Sequence, residues 1–281
     1  MRRAAKKGEP WTDRVARAGY LARGAVYVCV GGLSLAAAAG AGGKPTDPSG
    51  ALAALVRLPA GRSGLALVAL GLLIHAAFRA VLVVTGEPSA DEGGRWRRVA
   101  TRVRNGFSAC LYSGLALTAA LLAAGRYGHA HVDKDAETRT VSARLLAVPA
   151  GRPILIAIAA GILVAATVQI VRAFGPNDVR KRLRTDAMTE RECKLMATLG
   201  RVAYVARATV LAVCGYFLAR GAIDRAPAET RGPAGALREV WKLPHGGLWL
   251  ALIAAGLVAF GAYGILEAKW RRVFASAPKR R

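Results

Sequence analysis

The sequence predicts an all-α polytopic membrane protein, with six transmembrane helices built as three parallel two-helix repeats in a pseudo-threefold arrangement. Three observations predict it: six apolar runs of spanning length, a triplicated set of short motifs, and an uneven division of basic residues among the connecting segments. The chain has 281 residues, 54% of them hydrophobic, and its 41 Lys+Arg against 17 Asp+Glu give a formal net charge of +24. A disordered basic tail needs low hydrophobicity, which is absent here. A soluble nucleic-acid-binding domain of such basicity is not ordinarily this apolar, so no nucleic-acid partner is expected. An apolar chain with basic loops has the composition of a membrane protein.

A helix needs about 20 mainly apolar residues to cross a bilayer. Runs of that kind fall at 19–40, 64–84, 107–125, 154–174, 202–222 and 248–266, each rich in Ala, Leu, Val and Gly. A large soluble bundle would need amphipathic helices on its outside, and the sequence does not offer them. The basic start (Arg2, Arg3, Lys6, Lys7) resembles that of a signal peptide. The apolar run nevertheless begins late, has full spanning length, and opens with a motif that recurs at the fifth span. It is therefore read as retained.

Self-similarity is the most informative feature of the chain. Tyr20-Leu-Ala-Arg23 at the first span matches Tyr204-Val-Ala-Arg207 at the fifth, with Arg17 and Arg201 ahead of them. The third span holds a weaker copy, in which Arg102 and Tyr112 match Arg17 and Tyr27 and Asn105 replaces the first tyrosine. Gly50-Ala51-Leu52 with Leu58-Pro59-Ala60-Gly61 matches Gly235-Ala236-Leu237 with Leu243-Pro244-His245-Gly246, and Ala143-Arg144-Leu145 with Val148-Pro149-Ala150-Gly151 stands between them. Gly71, Gly161 and Gly256 share one position in the even-numbered spans. Each unit is two spans and a loop, so every copy enters and leaves on one side and the copies are parallel. The expected organisation is a basic N-terminal segment (1–18), repeat 1 (19–84), a degenerate repeat 2 (102–174), repeat 3 (199–272) and a basic tail (273–281).

The pattern Ala-Arg-x-Gly-Tyr-x-Ala-Arg-Gly-x-x-Tyr over Ala16–Tyr27, followed by Gly-Ala-Leu and Pro-x-Gly, resembles the bacterial membrane family catalogued as domain of unknown function 1206. The resemblance covers about residues 14 to 272. It implies two-helix units, in three copies, in a membrane. It implies no activity.

Loop charge sets orientation. The segments 1–18, 85–106, 172–201 and 267–281 hold 25 Lys+Arg, against 13 in 41–62, 126–152 and 220–246. The first set is expected in the cytoplasm, with both termini inside and the protein in the inner (plasma) membrane. Anionic lipid headgroups are then the expected partner of that face. Each outer loop also carries a short segment with helical spacing, exemplified by Leu52, Leu55 and Val56, and by Leu237, Val240 and Trp241. These segments read as interfacial or short re-entrant helices against the outer leaflet, with a lid over the outer end of the bundle as the alternative.

Ionisable residues inside spans are the candidate functional residues. Arg23, Arg79 and Arg207 lie near inner span ends, with Tyr20, Tyr27 and Tyr204 beside them. One reading is snorkelling arginines and an ordinary tyrosine belt; the other is an inner basic vestibule that draws anions. His75 is the one span histidine, with Arg79 a turn away on the same face. It is either a neutral residue hydrogen-bonded across helices or a proton relay. Glu267, at the inner end of the sixth span, is expected to pair with a basic neighbour. His129, His131, Asp133 and Asp135 form too weak a ligand set for a metal. No CxxC, HExxH, GxSxG or GxxxxGK[ST] occurs. No cofactor and no enzymatic activity are expected. Two functions compete: a structural or partner-binding component of the envelope, and a small carrier or channel for an anion or lipid-like solute along the pseudo-threefold axis. The topology is checked by fusing a reporter after Arg281. One that works only in the cytoplasm is expected to be active, and activity of one that works only outside it would reverse the assignment.

Overall fold

The computed structural model describes residues 10–86, 94–126, 134–175 and 188–270. All the regular elements in them are helices: α1 (Pro10–Ala38), α2 (Pro48–Leu55), α3 (Gly61–Thr85), α4 (Gly94–Ala123), α5 (Lys134–Leu146), α6 (Gly151–Phe174), α7 (Glu190–Ile223), α8 (Pro233–Trp241) and α9 (Gly246–Trp270), with a single 3-10 turn at Pro227–Glu229. Six of them, α1, α3, α4, α6, α7 and α9, are long and apolar enough to cross a membrane, and the protein is a multi-pass membrane protein. Three start well before their apolar stretches, α1 among them at Pro10. α4 begins inside the expected 85–106 loop, and α7 inside the 172–201 loop. The early start of α7 has a local cause: the Thr189 hydroxyl accepts from Glu192 N while the Glu192 side chain returns to the Thr189 N–H, a capping box.

The helices form a ring in which the second span of each repeat packs on the first span of the next. α3 lies on α4, α6 on α7, and α9 on α1, so the last repeat closes on the first. The three contacts use one register. Leu65, Leu155 and Leu250 are buried in all three even-numbered spans, as are Ala69, Ala159 and Ala254. Without a solvent-driven hydrophobic effect between helices in lipid, association rests on close van der Waals packing, which small residues permit. On α1 a side chain at Gly31 would stand 2.6 Å from the Ala254 carbonyl oxygen, and one at Gly24 would stand 2.7 Å from that of Gly261. At the matching position of α7, Gly215 faces Leu163 and Ala159.

Within repeats the symmetry fails once. α1 packs on α3 and α7 on α9, but α4 and α6 of the second repeat make no comparable contact. The cause lies at one position. In repeats 1 and 3, Gly71 meets Ala22 and Gly256 meets Ala206 so closely that a Cβ on either glycine would collide with the alanine methyl. The second repeat has Phe107 where those alanines stand, and a phenyl ring does not fit where a methyl does. Phe107 is 63% exposed, and nothing stands within 4 Å of a Cβ built on Gly161. The ring is therefore closed on five sides and open at one seam. Accordingly the third and fourth spans are the least buried, 22% against 39–44% for the others.

At the loop end the Pro-x-Gly motif makes the same turn three times. Gly61 N donates to Leu58 O, Gly151 N to Val148 O and Gly246 N to Leu243 O, at 2.8–2.9 Å. Each glycine is pressed by the carbonyl of a loop helix (Leu55, Leu145 or Trp241), leaving no room for a side chain. Of the two arrangements the sequence left open, the loop helices take the lid and do not lie outward against the leaflet. Ala51, Leu52, Ala236 and Leu237 turn inward and join the main core, so α2 and α8 cover the loop end of the bundle. In the middle copy the residue buried at the Leu52 position, ninety residues on, is Ser142. This shifts that loop match from Ala143–Leu145 towards 141–142.

The capping of these helices is shared between repeats. Asp47 caps α2 with its own carboxylate, accepting from Gly50 N at 2.7 Å. Gly232 holds the matching place ahead of α8, and the cap oxygen comes from Asp135 of α5, which accepts from Gly232 N at 2.7 Å. Arg238 reaches the same carboxylate at 3.3 Å. Burial raises the Asp47 carboxyl above its ordinary range, the Gly50 hydrogen bond opposes this, and nearby Asp135 raises it further.

Two outcomes follow. Gly71→Val and Gly256→Val are each expected to destabilise the detergent-solubilised protein by about 1–3 kcal/mol, as overpacking does, while Gly161→Val leaves its melting temperature nearly unchanged. Asp47→Asn keeps the cap acceptor without the buried charge and is expected to be neutral or stabilising, whereas Asp47→Ala costs about 1 kcal/mol. A carboxyl whose folded pKa is raised stabilises fully below its unfolded value and loses that contribution as pH rises through the folded one. The Asp47→Asn advantage should therefore grow as pH rises above the ordinary carboxylate range, in thermal melts recorded against pH.

Candidate functional site

Most of the buried polar and aromatic side chains of the spans gather in the half of the ring towards the chain termini, while Ser34 and Thr118 are buried nearer the loops. Five helices supply them. α1 contributes Tyr20, Arg23 and Tyr27, α3 His75 and Arg79, α4 Asn105 and Tyr112, α7 Tyr204 and Arg207, and α9 Phe260, Tyr263 and Glu267. Two are admitted by glycines. A Cβ at Gly19 would stand 2.9 Å from His75, and one at Gly264 would stand 3.3 Å from the Arg23 guanidinium.

Arg23 is buried, 7% exposed, and is not a snorkelling residue. Its side chain turns inward because the α1–α9 crossing at Gly24 and Gly261 brings Glu267 beside it. Arg23 Nη2 donates to Glu267 Oε2 at 3.4 Å. The guanidinium also lies 5.1 Å from the Tyr20 ring centroid and 5.2 Å from that of Phe260. Away from water such a cation–π contact contributes about 2 kcal/mol. Tyr20, 1% exposed, is likewise a core residue and not part of an interfacial belt. The surface role falls instead to Arg17, Arg102 and Arg201, which occupy one repeat position and are exposed in all three copies.

His75 is 1% exposed and wedged edge-on between Tyr20, at 5.0 Å, and Tyr112, at 4.7 Å. Arg79 Nε approaches His75 Nε2 at 3.4 Å, and its Nη1 donates to Asn105 Oδ1 at 3.1 Å. The Arg79 N–H thus uses that ring nitrogen as its acceptor. Asn105, fully buried, stands where repeats 1 and 3 have tyrosine and thereby ties α4 to α3. Arg207 stacks 5.1 Å from Phe260 and 5.9 Å from Tyr27. Tyr204 meets Phe260 and Tyr263 at 6.4 and 6.0 Å. The structure thus joins Tyr20, Tyr27, Arg23, Tyr204 and Arg207 around Phe260, with His75 and Arg79 adjoining through Tyr20.

The sequence reading missed Asn105, Tyr112, Phe260 and Tyr263 as members of this group. Their signal was present in the repeat register, where Phe260 stands at the His75 position and Asn105 at that of Tyr20. Among the described residues, no group of three or more His, Cys, Asp or Glu side chains is placed to hold a metal. His129, His131 and Asp133 lie outside the described residues, and Asp135 is the cap of α8. Cys29, Cys110, Cys193 and Cys214 are free thiols.

A ring of three two-helix repeats around a buried polar cluster defines a tandem-repeat membrane protein. The family model described as Domain of Unknown Function (DUF1206) matches the chain three times, at residues 18–86, 105–175 and 202–271, one match per structural repeat, and the chain belongs to that family. It is also similar to the uncharacterized protein YxxB of Bacillus subtilis (strain 168), 32% identical over 267 residues that cover 95% of this chain and 94% of the relative. No solved structure matches.

Removing one partner of a buried ion pair leaves the other charge stranded. Arg23→Ala and Glu267→Gln are each expected to lower stability by about 3–5 kcal/mol, and the double replacement Arg23→Met with Glu267→Leu to recover most of it. Reversible unfolding in mixed detergent measures this. Single losses no larger than that of exposed Arg17→Ala would contradict a buried pair.

Proposed function

We propose that the protein is a non-enzymatic membrane component of the cell envelope with a structural or partner-binding role, lying in the inner (plasma) membrane with both termini in the cytoplasm. One observation carries the reading: the interior of the ring is occupied by interlocking side chains. Towards the termini it holds the Tyr20, Arg23, Tyr27, His75, Tyr112 and Phe260 cluster. Towards the loops, Leu52, Leu65, Leu122, Leu237 and Leu250 are fully buried in one continuous core, roofed by α2 and α8. A carrier needs facing polar groups around a site open to solute, whereas these groups bond and stack on one another. The location and orientation rest on the excess of basic residues in the segments at the termini end. The open seam beside Phe107 and Gly161 favours a second reading, a small carrier or channel for an anion or lipid-like solute, because it offers a lateral way into the ring.

Purified protein in liposomes separates the two. The structural reading expects chloride flux, phosphate flux and the transbilayer movement of a labelled phospholipid all at the protein-free level, unchanged by His75→Ala. It also expects extraction from native membranes in mild detergent to give a complex larger than the 29.3 kDa chain. Saturable flux that His75→Ala abolishes would establish the carrier instead.

A further inference from the structure

We infer that Arg207, with Arg23 behind it, binds the phosphate group of an anion at the termini end of the bundle, against the rings of Phe260 and Tyr27. The inference starts from an imbalance. Two guanidiniums, Arg23 and Arg207, sit 5.2 and 5.1 Å from the centroid of one buried phenyl ring. The carboxylate beside them, Glu267, bonds Arg23. Among the described residues, Arg207 makes no hydrogen bond and no ion pair, and Arg23 Nε is buried without a hydrogen-bond partner. An arginine brings five N–H donors and keeps its charge under all ordinary conditions. Within a membrane span such a group is costly unless paired, and its position there points to an anionic companion.

The placement selects the companion's chemistry. Aromatic rings cover the guanidinium face and leave its N–H edge, the edge that grips an oxyanion in two parallel bonds. Arg207 remains half-buried, so the side chain is not sealed off from a ligand. Arg207 follows the exposed Arg201 by six residues, about 9 Å along the helix, and so belongs to the end of the span flanked by the basic segments, the depth at which anionic headgroups are met. Tyr204, one turn before Arg207 and in contact with Phe260 and Tyr263, brings a hydroxyl to the same flank. A group with several charged oxygens at that depth is a phosphate, carried either on a phospholipid headgroup or free. The motif explains itself on this reading. Tyr-x-x-Arg occurs twice because one copy, Tyr20 with Arg23, is neutralised inside the ring by Glu267, while the other, Tyr204 with Arg207, is left for the ligand.

The test uses the full chain, purified and delipidated in detergent. Inorganic phosphate is titrated by calorimetry. In parallel, the protein is reconstituted in nanodiscs of phosphatidylglycerol or of phosphatidylcholine, and retained lipid is counted by native mass spectrometry. Saturable phosphate binding, or one retained phosphatidylglycerol per chain, is expected, and the arm that responds identifies the source. Arg207→Gln is expected to weaken that binding by about tenfold or more. Arg207→Lys, which keeps the charge but not the two-pronged edge, is expected to weaken it by about three- to tenfold. Exposed Arg201→Gln should leave it unchanged. Absence of binding in both arms, or unaltered affinity in Arg207→Lys, overturns the site. Because Arg207→Lys preserves size class and charge, it reads the proposal even if the glutamine variant fails to fold.

Discussion

The structure depends on the close approach of α1 and α9. Gly24 and Gly261 each stand so near the other helix's backbone that a methyl group would meet a carbonyl oxygen at 2.6–2.7 Å. That contact joins the first repeat to the last and turns a row of six helices into a ring. It also brings together Arg23 and Glu267, 244 residues apart in the chain. In lipid there is little hydrophobic gain from pairing two apolar helices, so the glycine and alanine faces supply the association by letting backbones touch. The buried arginine is tolerable only because that approach delivers its carboxylate and its aromatic shelf.

The same packing logic explains where the ring is incomplete. One motif position, alanine in repeats 1 and 3, decides whether the two helices of a repeat close on each other. Phe107 breaks it in the second repeat, and the polar face of α4 is then tied to α3 by Asn105 and Arg79 instead. Divergence of the middle copy thus costs α4 one of its two neighbours: the contact with α3, which every repeat boundary has, remains, and the contact with α6 is lost. The loop layer shows a parallel substitution of roles, with Asp135 of the middle repeat capping the α8 helix of the third where Gly232 has no side chain to do so.

Much of this was legible in the sequence. The six spans follow from length and apolarity, and the parallel repeats from Tyr20/Tyr204, the three prolines and the shared glycine position 71/161/256, of which only Gly71 and Gly256 prove to lie at a helix crossing. The orientation of Arg23 and Tyr20 was not legible. Depth along a span can be counted from its apolar run, but which side of the helix faces the ring depends on crossings between distant segments. For the same reason the sequence left the loop helices open between the outer leaflet and a lid over the bundle. Their apolar faces are short, and only the roof position of Leu52 and Leu237 shows that they turn inward. Glu267 was expected to find a basic partner, but its partner lies on the first helix of the chain. The seam was encoded by Phe107 against Ala22 and Ala206, a difference that acquires meaning only once those alanines are known to face Gly71 and Gly256.

The central claim is a ring closed between the first and third repeats and open within the second. A side-chain-resolution density map of the protein in lipid nanodiscs tests it most directly. The account predicts α1 and α9 in backbone contact at Gly24 and Gly261, with Arg23 on Glu267, and non-helical or partner density lying between α4 and α6. A map in which α4 packs on α6 as α1 packs on α3, with Phe107 buried against Gly161, would contradict it.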